Sequence, residues 1–451
     1  MAWAGWSAAG RRRTVPALHD NLFARIANFG TLHEAWRNAV KGKRRKPGAA
    51  RFTANLEKEL LRLERELLDG SWRPGRYVEI AVREPKPRMV SAAPFRDRVV
   101  HHALCAVIEP IFERGFIGHS YANRAGKGTH RAVAQYERWR DRHRHVLRCD
   151  IYRYFPAIDH TVLKGLFRRR IACAGTLGLM DAIVDGSNPQ EPVTLYYPGD
   201  DLFSPFGRRR GLPIGNLTSQ FMANLYLDGL DHFATEVLRA PYLRYVDDFA
   251  LFHDDPAVLA GWRDRIAVWL EAKRLRLHPR KTEILPTAEA ATFLGYVLLP
   301  DRRRLPEANV RRFRNRLRGM RDRWRAGTID GRAVEAHIRS WIAHAEHAQT
   351  WRLRHAIFRG GWFDPALHAR SGRTLAKPGR SPLGGFCAAV RGTTIQGTSA
   401  PATATTTSPA TATTMSVSAL PAPLHARAGG TMVPPGAPRA GSGAAMMTGA
   451  C

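Results

Sequence analysis

PYLRYVDDFALFHDD, residues 241–255, decides how the chain is read. Two short β-prone flanks enclose the Asp247–Asp248 pair, so the pattern predicts a hairpin with two carboxylates at its tip. An isolated Asp pair is ordinarily a hydrated turn, and the surroundings change its weight. Upstream, HVLRCDIYRYF (145–155) reads as a strand that ends in Asp150 and runs into aromatics. Between the two, GLPIGNLTSQFMANLYLDGLDHFA (211–234) reads as a Gly/Pro turn opening a long helix, and helical segments surround 160–185. Beyond the hairpin, a helix over 256–274 leads to LRLHPRKTEIL and the strand-like FLGYVLL (293–299).

Toward the N-terminus, residues 11–72 read as helical. Leu56, Leu60, Leu63 and Leu67 recur at three- and four-residue steps until Gly70 stops the pattern. RYVEIAV (76–82) and PRMVSAAP (87–94) are short β-rich runs, followed by a helix in DRVVHHALCAVIEPIF. Residues 305–360 are helical and strongly basic, with Trp324, Trp341 and Trp351 among arginines, and beyond about 376 periodicity vanishes. Strands interleaved with helices but including a hairpin predict an α+β fold, a palm-like antiparallel sheet backed by helices, over a doubly wound parallel one.

The chain has 451 residues and a formal net charge of +31, concentrated before residue 376. Residues 1–375 hold 65 Lys+Arg against 39 Asp+Glu, a net of +26, which argues for a polyanionic partner such as nucleic acid. Five scattered cysteines without C-x-x-C spacing suggest neither a disulfide framework nor a cysteine-based zinc module. No signal-peptide pattern or membrane-span-length apolar run is present, so the expectation is a soluble, cytoplasmic protein with no membrane partner. His101–His102 and His143/His145 lack partners at metal-ligand spacing, and GKG at 126–128 lacks the context of a phosphate loop.

Three carboxylates, Asp150, Asp247 and Asp248, brought together at strand ends need a compensating charge, and a divalent metal supplies it. Oxygen-only ligands favour Mg²⁺, or Mn²⁺, over zinc. Two such ions roughly 4 Å apart can activate a 3′-hydroxyl and stabilise leaving pyrophosphate in an in-line displacement.

CDIYRYFPAID, GLPIGNLTSQ, YVDDF, LHPRKTEI and FLGYVL resemble, in order and at suitable separations, the palm motifs of reverse transcriptases. KPRMVSAAPFRDRVVHHAL and FIGHSYANRAGKGTHRAV resemble the finger motifs of bacterial retroelement enzymes. The resemblance spans roughly residues 20–365. It implies a right-hand polymerase fold: an N-terminal helical extension (1–75), fingers and palm (76–300), a basic helical thumb (301–370) and a disordered low-complexity tail (376–451). It also implies roles. Asp150 and Asp247 would be the principal metal ligands, and Asp248 the third carboxylate. Phe155 would be a steric gate against a ribose 2′-hydroxyl, although Tyr154 beside it is equally bulky. Lys86 and Arg88 would contact the incoming deoxynucleoside triphosphate. Gly215 would shape the nucleotide pocket through its missing Cβ, with Ser219 and Gln220 one helical turn on, near template or nucleotide. Lys281 would be placed to protonate pyrophosphate. The basic thumb would clamp template RNA and the RNA–DNA duplex through their backbones.

Two departures narrow the resemblance. Ile214 stands where the family usually has Gln before the pocket glycine, and Gln220 stands where group II intron enzymes usually have Pro. Both resemble the reverse transcriptases of diversity-generating retroelements, which copy a template-repeat RNA with errors at adenines and act with a small basic accessory protein. No HNH-type zinc endonuclease pattern follows the thumb.

The tail bears on this. GTTIQGTSAPATATTTSPATATTM, within residues 391–419, is rich in Thr, whose ACN codons become AAC, Asn, when read two bases on after an A. From Cys387 the shifted frame permits LRGGSWNNNPRNVR, and 411–419 permits RNNNVGFR. Asparagine-rich strings of this kind resemble the adenine-rich end of a diversified target gene, so the reading frame is expected to overlap the template repeat. The alternatives are a group II intron or retron-type enzyme, and an inactive polymerase-like RNA-binding scaffold.

Overall fold

In a computed structural model the protein is described over residues 18–82, 87–187 and 194–359. Lys86, residues 11–17 of the predicted helical extension, and the predicted disordered tail lie outside the described residues. Helices α1 (Phe23–Ile26), α2 (Phe29–Val40), α3 (Pro47–Ala54) and α4 (Leu56–Leu68) precede an antiparallel pair, β1 (Val78–Val82) and β2 (Arg88–Ala92). Next come α5 (Phe95–Glu113), α6 (Thr129–Arg140), β3 (His145–Asp150), α7 (Tyr154–Ala157), α8 (His160–Arg168), α9 (Ala174–Asp185) and α10 (Ser204–Gly207). α11 (Leu217–Tyr226) and α12 (Asp228–His232), prolonged by a π-turn over Phe233–Val237, lead into the hairpin β4 (Tyr242–Tyr245) and β5 (Asp248–His253). α13 (Pro256–Glu271), β6 (Glu283–Pro286), β7 (Ala291–Phe293), β8 (Tyr296–Leu298) and β9 (Arg303–Arg304) follow, then α14 (Glu307–Arg325), α15 (Gly331–Ala345) and α16 (Trp351–Phe358).

The fold is α+β, as the interleaved pattern predicts. Its central sheet is antiparallel in the order β4-β5-β3-β6, and both faces are covered. Alternation along β5 assigns each side chain to a face. Phe249 and Leu251 join Leu147 and Cys149 of β3 in the larger core, against Leu259, Ile266 and Leu270 of α13. Ala250 and Phe252 join Val146 on the opposite face, against Ala132, Val133 and Tyr136 of α6. A sheet sealed on both faces keeps its register, because a one-residue slip would exchange the two cores. That register holds Asp150 directly opposite Asp248.

The helices obey local signals. Leu60, Leu63 and Leu67 form the buried stripe of α4. Asp159 caps α8 by accepting from Val162 N, and Asp255 caps α13 from Ala257 N, with Pro256 at the first helical position. α14 is amphipathic in an extreme form: Phe313, Leu317 and Met320 are buried among arginines, and pack with Val334, Ile338, Ile357 and Phe358 of α15 and α16.

Two readings need correction. FLGYVLL is not one strand: Leu294 and Gly295 adopt left-handed φ of +46° and +86°, folding β7 back on β8. An apolar turn carries no polar punctuation, so the pattern there looks continuous. The long helix over 211–234 is three pieces, since α11 stops at Tyr226 and a π-turn follows α12.

Candidate active site

The β4–β5 connection is a two-residue turn, Val246–Asp247, closed by the Tyr245–Asp248 pair. Asp247 therefore occupies the turn, whereas Asp248 is already the first residue of β5 rather than part of the tip. Val246 has φ +58°, a left-handed conformation that a β-branched residue adopts at a cost of roughly 1–3 kcal/mol. The end of β3 is stitched to the segment before β6. Tyr152 N donates to Arg276 O at 2.9 Å, and His278 N donates to Asp150 O at 2.7 Å. The same segment delivers Lys281, whose Nζ lies 2.6 Å from Asp150 Oδ2.

Electrostatics show how crowded the carboxylates are. Burial, then the Asp150 carboxylate, pushes the Asp247 carboxyl up to about 6. Burial, then Asp247 and Asp150, pushes Asp248 up to about 7. Three carboxylates share one contacting ammonium, so the cluster is short of positive charge. All its donors are hard oxygens, which fits Mg²⁺ or Mn²⁺. Among the described residues no three His, Cys, Asp or Glu side chains form a ready-made ligand shell. A cation bound here would draw the carboxylates inward and compete with Lys281 for Asp150.

The remaining expected residues divide by exposure. Phe155 is half-buried, while Tyr154 is 2% exposed with its hydroxyl on Ala223 O at 2.5 Å; packing occupies the tyrosine and leaves the phenylalanine at the surface of the core. Phe155 O accepts from Leu212 N at 2.9 Å, which leads the chain directly to Gly215. Gly215 has φ +106°, and a Cβ there would lie 2.6 Å from Val90 Cγ1. Its missing side chain thus admits the side chain of β2, with Ser91 N donating to Ile214 O at 3.1 Å and Asn216 Nδ2 to Ser91 O at 2.8 Å. Arg88, at the start of β2, is exposed. Ser219 is buried, and Gln220 is half-buried.

Residues 82–298 match the model of the reverse transcriptase (RNA-dependent DNA polymerase) family. The chain carries a reverse transcriptase domain. The match encloses the whole carboxylate cluster, Lys281, Phe155 and Gly215. Protein YkfC of Escherichia coli is 27% identical over 298 residues, 57% of this chain and 75% of that protein. Group II intron-encoded protein LtrA of Lactococcus lactis is 23% identical over 249 residues, 54% of this chain and 40% of LtrA. A putative COX1/OXI3 intron 2 protein of Saccharomyces cerevisiae is 24% identical over 165 residues, 36% of this chain and 18% of that protein. The reverse transcriptase domain is thus an RNA-directed DNA polymerase module related to group II intron-encoded enzymes. No helix among the described residues is long and apolar enough to cross a membrane.

Sequence reasoning missed Arg244. It sits inside the β4 strand at 1% exposure, paired with the fully buried Asp231 of α12. A charge in mid-strand between apolar neighbours was the available signal. Burial lowers the guanidinium pKa, and Asp231 more than reverses this, so Arg244 stays charged.

Proposed function

We propose that this protein is the reverse transcriptase of a diversity-generating retroelement, copying a template-repeat RNA into cDNA with errors at adenines. The carrying observation is the carboxylate cluster Asp150, Asp247 and Asp248 inside a reverse transcriptase domain whose pocket turn reads IGNLTSQ. Asp150, Asp247 and Asp248 hold the divalent ions, Mg²⁺ in the first instance. When bound, these ions lower the pKa of the primer 3′-hydroxyl and neutralise the leaving pyrophosphate. Lys281, now on Asp150, is released toward the pyrophosphate and donates its proton there. Phe155 excludes the ribose 2′-hydroxyl, Lys86 and Arg88 neutralise the triphosphate, and Gly215 keeps the turn beside β2 in its left-handed form. Ser219 and Gln220 lie near template or nucleotide.

In this reading residues 76–300 are fingers and palm, 301–370 the thumb, 1–75 an extension and 376–451 a tail encoded by the template repeat. The thumb arginines hold the RNA–DNA duplex, and a small basic accessory protein joins the complex. Ile214, in place of the usual Gln, loosens the pocket beside the templating base and narrows the free-energy gap between right and wrong nucleotides.

Sequencing cDNA made by the full chain on its cognate RNA, with and without the neighbouring basic protein, tests the proposal. Errors concentrated at template adenines are expected; uniform fidelity overturns the mutator reading and leaves the polymerase. The genomic frame supplies an independent check: stops, or no Asn-rich string, in the shifted frame over 387–419 eliminate the overlap. The similarity to LtrA favours a second reading, a group II intron enzyme, for which a flanking intron without a paired repeat is the distinguishing observation.

A further inference from the structure

The turn that carries Asp247 holds a conformation its own sequence disfavours. A two-residue hairpin with positive φ at its first central position ordinarily takes Gly there, and this one has Val246 at +58°. The steric gain from relaxing the turn is therefore available, and something has to oppose it. Arg244 is placed to do so. Its Nη1 donates to Val246 O at 3.0 Å, the carbonyl of the peptide that leads directly into Asp247. Fixing that carbonyl fixes the peptide plane and with it the direction in which Asp247 leaves the backbone.

The guanidinium is itself immobilised from the opposite side. Nε and Nη2 donate to the two oxygens of Asp231 at 2.7 and 2.6 Å, a bidentate fork that sets the plane of the group. Nη1 also donates to Asn224 Oδ1 at 3.2 Å, and Nη2 to Asn224 O at 3.4 Å. Tyr242 Oη donates to Asp231 Oδ1 at 2.8 Å, and Asn224 Nδ2 donates to Ala122 O at 2.8 Å, so both anchors are held in turn. Arg244, Asp231, Asn224 and Tyr242 are each at most 2% exposed. Among the described residues its hydrogen bond to the active-site turn is the one to the Val246 carbonyl, and the guanidinium charge also acts on the Asp247 carboxylate.

We propose that Arg244 is a positioning residue: it clamps the Val246 carbonyl and thereby holds Asp247 in the orientation needed for nucleotidyl transfer. The inference rests on the polymerase reading for its catalytic consequence and on geometry alone for the clamp. Lysine at 244 keeps a cation beside Asp231 but has no fork with which to hold Asp231 and the turn together. Glycine at 246 makes the left-handed turn free of strain, so the turn no longer needs the clamp.

The test is a double-mutant cycle of Arg244→Lys and Val246→Gly in the full chain, read in two ways. The first is thermal unfolding without divalent cations, which requires no catalysis. The second is kcat and KM for primer extension on an RNA template with Mg²⁺. Arg244→Lys is expected to lower kcat about 10- to 100-fold with KM for the template–primer little changed, as a misplaced ligand group does. Adding Val246→Gly is expected to restore kcat at least about threefold and to be non-additive in melting temperature, because the two residues touch. Additive melting shifts together with no recovery of kcat overturn the clamp and leave Arg244 a structural ion pair. If the wild-type chain makes no cDNA, the polymerase reading falls, and coupling in the melting cycle decides the clamp by itself. Should Arg244→Lys not fold, Asn224→Ala, which removes one support of the same guanidinium, is carried through the same cycle.

Discussion

The central sheet and the C-terminal helices handle charge in opposite ways. Around β4 and β5 charges are few and held by directional hydrogen bonds: the buried Arg244 on Asp231, the exposed Lys281 on Asp150, and three carboxylates crowded beyond their local compensation. Along α14 charge is dense and exposed, with Arg311, Arg312, Arg314, Arg318 and Arg323 facing solvent around a stripe of only Phe313, Leu317 and Met320. Buried charge fixes geometry, because an unmatched ion in the core is expensive. Exposed charge fixes little and instead supplies long-range attraction to a polyanion. One arrangement suits chemistry at a defined point, the other a grip that slides along a backbone.

The sharpest way to break this contrast is to remove one partner in each region. Asp231→Ala strands the Arg244 cation in the core, and urea denaturation is expected to report a loss of about 3–5 kcal/mol. Acid should also strike the buried region first. Burial, then His102 and Arg98, depresses the His101 imidazole to about 3, and burial, then Lys43, Arg98 and Lys41, depresses His102 to about 4. The folded state keeps both neutral while the unfolded chain protonates near its ordinary 6.5, so the stability is present above that value and is lost as pH falls toward the folded values. Melting temperature is expected to drop between pH 6.5 and 4, and His102→Asn to blunt the drop. No acid dependence attributable to position 102 would contradict its partial burial on α5.

The carboxylate cluster gives a prediction of opposite sign. Asp248 is held well above the ordinary carboxylate range, so its ionised form at neutral pH works against folding. Asp248→Asn is expected to raise the melting temperature without divalent cations, and to reduce the further rise that Mg²⁺ produces in the parent chain. A drop in metal-free stability would mean that the carboxylates are not in mutual repulsion. The smallest stability effect belongs to α14. Replacing Arg311, Arg314 and Arg318 by Ala is expected to change folding by no more than about 0.5 kcal/mol each. The same change should reduce the salt dependence of RNA binding by about 0.7–0.9 for each phosphate no longer neutralised. An unaltered salt slope would separate α14 from the nucleic acid.

These differences also explain what was legible in the sequence. The Asp247–Asp248 hairpin could be read because acidic residues are the minority in a basic chain and both flanks are β-prone. Asp150 could be read because it ends a strand, and the basic helices because their arginines are at the surface. A charge in mid-strand marks Arg244, but its pairing could not be read, since Asp231 lies on a separate element and charged residues are ordinarily exposed. Val246 gave no sign of its left-handed turn, because backbone strain is set by tertiary contacts that no local pattern encodes. Leu294–Gly295 misled for a related reason: an apolar turn inside an apolar run looks like strand. Gly215 was legible as a place needing no Cβ, but the neighbour that fills the space, Val90, comes from a distant strand.

The central claim is RNA-directed DNA synthesis at the Asp150, Asp247 and Asp248 cluster. Primer extension by the full chain on an RNA template, with deoxynucleoside triphosphates and Mg²⁺, compares wild type with Asp247→Asn most directly. Extension by the wild type is expected, with a loss of about a thousandfold or more in the variant, several kcal/mol of transition-state stabilisation. RNA binding should be preserved in Asp247→Asn, and its melting temperature without divalent cations should not fall. Equal extension by the two proteins would contradict the assignment of the active site.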